Sequence, residues 1–220
     1  MRTNHCKLTF NFCKTIISAP AKTFPMKRPF HRFGLLWLLA CLTACSGIPL
    51  STVPRLLTLQ SEVLQADPGQ FMLAIQTDER MVPPAGSTPT LDIALRPRAA
   101  GSFEPWERKL PMAMVTTAAP AGLPRAGRGR HWLVYSLDPS SQRELEQLRE
   151  RMSALQAKGK GWPGGSLSIG ISQEGIAVDD PRLAHTRWET WLQASARGGF
   201  FPLWSGTLEQ LRAQARRSAR

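Results

Sequence analysis

Four kinds of residue in this sequence could do chemistry: a serine in a Gly-x-Ser setting, two histidines, a pair of aspartates, and a cysteine behind an apolar run. Ser172 stands in Gly170-Ile171-Ser172-Gln173-Glu174-Gly175, close to the spacing at which a sharp strand-to-helix turn exposes a serine nucleophile. Two features count against it. Glu174 occupies the place of the final glycine, and the alternation of Leu167, Ile169 and Ile171 reads as a strand running into a hairpin. His131 and His185 are the only histidines after Cys45, and neither has a metal-ligand neighbour at H-x-x-E or H-x-x-x-H spacing. A triad of His185, Asp179 or Asp180, and Ser172 can be written down. Nearness along the chain is not geometry, however, and Asp179-Asp180-Pro181 reads first as a turn. The expectation is therefore no catalytic residue, no metal and no cofactor, with an envelope hydrolase of unidentified residues as the alternative.

Cys45 is different, because the residues before it have an order. Met26 to Arg32 carries Lys27, Arg28 and Arg32 and no acid, and Phe33 to Leu42 carries no charge. A basic stretch, a short apolar stretch and then small residues is the order of a secretory signal. A lasting membrane span needs about 20 apolar residues, and this run is too short. Leu42-Thr43-Ala44-Cys45 resembles the lipobox of bacterial lipoprotein precursors, over residues 26–45 only. The resemblance implies that Cys45 is acylated, palmitate included, and becomes the new N-terminus. It also implies that residues 26–44 are removed and that the protein is held to a membrane of the cell envelope. Leu38-Leu39-Ala40-Cys41 is the weaker competitor, because Leu39 is bulky where a small residue is preferred. Ser46 stands where an aspartate would retain an enterobacterial lipoprotein on the inner membrane, which implies the outer membrane, facing the periplasm. Residues 1–25 precede a signal that is already complete, so they read as a mis-assigned start or a leader extension.

Charge and cysteine follow the same division. Seven of the 28 Lys and Arg precede Cys45, while all 16 Asp and Glu follow it, so the remainder is only +5. Arg212, Arg216, Arg217 and Arg220 account for most of that excess. The body is close to neutral, which argues against a nucleic-acid partner. All four cysteines, Cys6, Cys13, Cys41 and Cys45, lie in the first 45 residues, which excludes disulfides and cysteine-based metal sites from the body.

Two arginine groups are candidate anion contacts. Ala118 to Arg130 holds Arg125, Arg128 and Arg130 with two Pro, three Gly and no acid, and reads as a solvated loop that cannot pack. Arg212 to Arg220 is a basic tail able to extend a final helix, with its charges near anionic lipid or wall polymer. Trp132, Trp188, Trp191 and Trp204 are many for this length, and read as core packing or as an aromatic patch for a ligand or partner.

The elements that must position these groups are α+β in type. Residues 45–53 read as an acylated tether, whose eight residues after Cys45 span at most about 28 Å when extended. Residues 54–211 read as one globular domain and 212–220 as the tail. Pro54 to Ala66 has helical spacing, whereas Phe71 to Thr77 and Leu91 to Arg96 alternate as half-buried strands. Leu110, Met112 and Met114 alternate around Pro111, which favours an edge strand. His131 to Leu137 is apolar on both faces, as in a central strand. A helix follows, capped by Asp138 or by Ser141 with Glu144, and bearing Leu145, Leu148, Met152 and Leu155. Leu167 to Ile171 is a strand, Glu174-Gly175 suggests a tight turn, Arg187 to Trp204 a hairpin, and 207–216 a last helix. The sum is an antiparallel sheet of about six strands under one main helix, or a β-sandwich with a helical insertion. The function these readings support is a membrane-anchored, non-catalytic envelope lipoprotein that binds a protein or cell-wall partner.

Overall fold

The computed structural model describes residues 52, 54–55, 59, 62–63, 65–84, 86–97, 101–115, 121–155, 157, 165–173 and 180–218. Seven strands form one sheet: β1 (Met72–Asp78), β2 (Pro89–Pro97), β3 (Trp106–Met114), β4 (Arg130–Leu137), β5 (Gly165–Gln173), β6 (Arg187–Gln193) and β7 (Phe201–Thr207). Their order is β5-β2-β3-β4-β1-β6-β7, and each paired neighbour is antiparallel. The architecture is α+β with an antiparallel sheet, with seven strands in place of about six. Helix α1 (Pro139–Leu155) packs Leu145, Leu148 and Met152 into the core, and α2 (Leu208–Ser218) adds Leu208 and Leu211. The described residues within 54–65 are helical, with Leu59 and Val63 buried.

The edge-strand expectation for β3 is overturned by how Pro111 is used. The first part of β3, through Pro111, pairs with β2, and Met112 to Met114 pair with β4, so β3 is internal and hands the sheet from one half to the other. Proline cannot donate to a ladder, and it sits at this handover, where the carbonyl of Pro111 instead accepts the Ser141 hydroxyl at 2.9 Å. The half-buried expectation for β1 is also corrected. Leu73 to Thr77 are all buried: Leu73 and Ile75 face the core, while Ala74 and Gln76 on the other face are flanked by Val134 and Trp132 of β4 and by Trp191 and Glu189 of β6.

Asp138 caps α1, accepting the Ser141 N–H at 2.6 Å, and this hydrogen bond holds its carboxyl below the usual range. Ser141 and Glu144 form no capping box, since the Ser141 hydroxyl is engaged by Pro111 and Glu144 faces Arg108 at 3.5 Å. The capping box is at α2. There Thr207 Oγ1 accepts from the Gln210 N–H at 3.3 Å and Gln210 Oε1 accepts from the Thr207 N–H at 2.9 Å. The Leu155 side chain and the Glu174-Gly175 turn lie outside the described residues.

Candidate functional site

Alternation along β1, β4 and β6 divides their side chains between two faces. Leu73, Ile75, Leu133, Tyr135, Leu137, Trp188, Thr190 and Leu192 share the face that builds the core with α1 and α2. The register places Ala74, Gln76, Arg130, Trp132, Val134, Glu189 and Trp191 on the other. Ala74 is fully buried between Val134 and Trp191, and its small side chain leaves room for the large rings on either side. The Trp132 and Trp191 rings meet edge to face, with centroids 6.1 Å apart and planes at 88°. Trp188 and Trp204, by contrast, are core residues.

Beside the rings is a polar cluster. Arg130 Nη1 lies 3.2 Å from Glu189 Oε1, with side chains 16% and 15% exposed, so this ion pair is largely withdrawn from water. Arg187 Nε approaches the same oxygen at 2.8 Å from a far more exposed position. Trp191 Nε1 donates to Glu189 Oε2 at 3.3 Å, and Arg130 Nη2 donates to the Gln76 carbonyl at 3.2 Å. One carboxylate therefore organises two guanidinium groups and an indole, and the indole N–H is satisfied while part of the ring remains accessible.

The described part of the arginine-rich stretch, residues 121–130, is mostly exposed, and hydrogen bonds fix it to the sheet. Trp132 Nε1 donates to the Pro124 carbonyl at 3.0 Å, and Arg130 N–H closes a turn on the Gly127 carbonyl at 3.1 Å. The Gly129 carbonyl accepts from the Glu79 N–H at 3.1 Å, joining this turn to the one after β1. Backbone polarity supplies the fixings that composition does not advertise. Arg125 and Arg128 are exposed on this loop, whereas Arg130 belongs to β4 and spends its charge internally on Glu189.

The other anticipated residues fall elsewhere. Arg212 and Arg216 stand on α2, Arg212 half-buried and Arg216 exposed; the Arg217 side chain, Arg220 and Cys45 lie outside the described residues. Ser172 is buried in β5 in register with Thr90, and among the described residues no hydrogen bond joins it to either histidine. His185 is exposed, 3.6 Å from Glu209, and His131 lies across from Thr77. Asp180 caps a short turn, accepting from the Arg182 N–H at 2.9 Å and pairing with its guanidinium, which lowers the carboxyl pKa. Asp78 repeats the arrangement with Arg80, whose side-chain hydrogen bond brings the Asp78 pKa down to about 2. Asp179 lies outside the described residues. Among the described residues no three His, Cys, Asp or Glu side chains cluster as a metal site, and no helix is long and apolar enough to cross a membrane.

A separate apolar cavity of about 310 Å³ lies where α1 crosses β2 and β3. Leu95, Phe103, Trp106, Leu148 and Met152 line it with Glu104 and Arg151. The Arg108 guanidinium lies over the Trp106 ring, 5.6 Å from its centroid. No protein-family model, no curated protein and no solved structure matches the chain.

What sequence reasoning missed is the Trp132–Trp191 pairing. Alternation assigns each ring to the face opposite the core, but that the two faces coincide depends on β1 lying between β4 and β6. Such a pairing between residues 59 positions apart leaves no local signal.

Proposed function

We propose that this protein is a non-catalytic binding module held to the cell envelope by a lipid on Cys45, and that it recognises a protein or cell-wall partner through the outer face of β1, β4 and β6. The observation that carries the binding reading is the Trp132–Trp191 pair set beside the Glu189-centred arginine cluster. Partly exposed tryptophans with fixed arginines supply apolar area and charge at low entropic cost, which is the composition of binding hot spots. The exposed Arg125 and Arg128 on the adjoining loop extend that surface toward an acidic partner. The anchor reading rests on the Leu42-Thr43-Ala44-Cys45 resemblance, and Ser46 directly after the cysteine supports an outer-membrane location facing the periplasm. The fold is read as one continuous sheet turning at Pro111, in preference to a sandwich of separate sheets, because β3 pairs on both sides.

The test is site-specific photocross-linking in cells that express the full chain. A cross-linker at Arg125 or Arg128 should give a discrete adduct that is lost when Trp191→Ala is added. A cross-linker at Arg96 on β2 should give none. Equal adducts from all three positions, or adducts indifferent to Trp191→Ala, would contradict the assignment of this face.

A further inference from the structure

We infer that the end of the sheet carrying residues 195–200 is the membrane-facing surface of the domain, and that its occupant is the lipid bilayer to which Cys45 is attached. The inference rests on the proposed anchor and adds an orientation to it.

The chain enters the domain at a defined place. Thr52 is 1% exposed and its hydroxyl donates to the Pro202 carbonyl at 2.6 Å, at the start of β7. Arg55 and Glu62 from the following helical segment approach the same region, both within reach of Gly198. Thr52 stands seven positions after Cys45. Such a segment spans at most about 25 Å, and as a flexible chain about 15 Å on average. The point of attachment is therefore held close to the bilayer, and the loop between β6 and β7 with it.

That loop is built and not merely a connection. The Gln193 side chain donates to the Gln70 carbonyl at 3.0 Å, and Gln70 Oε1 accepts from the Ala196 N–H at 2.9 Å. Gly198 N–H donates to Ser195 Oγ at 3.1 Å, and Gly199 N–H to the Ser195 carbonyl at 3.1 Å. Gly199 closes the turn at φ 64°, a conformation glycine adopts without a Cβ penalty. The result presents Arg197 to solvent, with Arg55 exposed nearby, and guanidinium groups suit lipid phosphates.

The opposite end of β6 carries the Asp180–Arg182 turn and His185. Helix α2 starts there too, since the Leu208 N–H donates to the Thr186 carbonyl at 3.1 Å. A seven-residue strand is about 20 Å long, comparable with the whole tether. Arg182 therefore points away from the bilayer, and the face bearing Trp132 and Trp191 stands at its side, open to a partner.

The body after Cys45 contains no cysteine, so Arg197→Cys and Arg182→Cys can each take a single fluorophore in the full, processed protein. The labelled proteins would be reconstituted in phosphatidylethanolamine–phosphatidylglycerol vesicles containing headgroup-nitroxide lipid. Flotation reports the anchor and quenching reports the orientation. Co-flotation with several-fold stronger quenching at 197 than at 182 is the expected result. Co-flotation with equal or reversed quenching would overturn the orientation and leave the anchor standing. Failure of the processed protein to float would overturn the anchor and the orientation with it.

Discussion

Glu189 is the residue on which the candidate face depends, because one carboxylate holds Arg130, Arg187 and the Trp191 indole. Removing its charge leaves Arg130 largely buried with only backbone carbonyls to face it among the contacts described. Glu189→Gln should cost about 1–3 kcal/mol in urea unfolding, without affecting the far half of the sheet. A cost near zero would show that the cluster is not an organised unit. Tyr135 makes the opposite point. It is fully buried, its hydroxyl has no hydrogen-bond partner among the described residues, and burial pushes its pKa up to about 12. The unfolded phenol ionises near pH 10. The folded state therefore holds the extra proton between about pH 10 and 12, and stability falls as pH rises through that window. Tyr135→Phe should be neutral or stabilising at neutral pH and should shallow that alkaline slope. A loss of more than about 1 kcal/mol would mean that the hydroxyl has a partner.

Among the elements, α1 depends on Asp138 as its cap. Asp138→Ala should cost about 1 kcal/mol by thermal or urea unfolding, while Asp138→Asn, which can still accept the Ser141 N–H, should retain most of it. Asp138 and Asp78 both have lowered folded pKa values. Their contributions are present above the unfolded pKa near 4 and are lost as pH falls toward the folded values, about 2 for Asp78. The acid limb of a stability profile should therefore lose amplitude in Asp78→Asn. Much of this layer was legible in the chain. The alternation in β2, the two-sided apolar run of β4, the helical stripe of Leu145, Leu148 and Met152, and the hairpin from Arg187 onward all follow from local pattern. The role of β3 was not, because Pro111 reads as an edge signal and only the sheet order shows that it marks a change of partner. The fixings of the arginine-rich loop were not legible either, since they are backbone carbonyls. The described arginines of the basic tail stand on α2. Leu211 is fully buried and α2 continues through Ser218, so truncation after Leu211 would cut the helix. Charge reversal at the exposed Arg216 separates charge from folding.

At the scale of the whole molecule the proposed arrangement has three parts: an acylated N-terminus, a short tether that meets β7 through Thr52, and an α+β body whose tryptophan face would receive a partner. Of these, the anchor decides whether the rest is placed correctly. Fatty chains contribute about 0.8 kcal/mol per buried CH₂, so two or three of them hold a protein to a bilayer where electrostatics alone would not. Intact-mass and N-terminal peptide mass spectrometry of the protein purified from envelopes reads this directly. The predicted product begins at Cys45, carries diacylglycerol and an N-acyl chain, and is missing in Cys45→Ser, which accumulates as an unprocessed or unanchored form. A mature protein that begins elsewhere, or that carries Cys45 unmodified, would contradict the account.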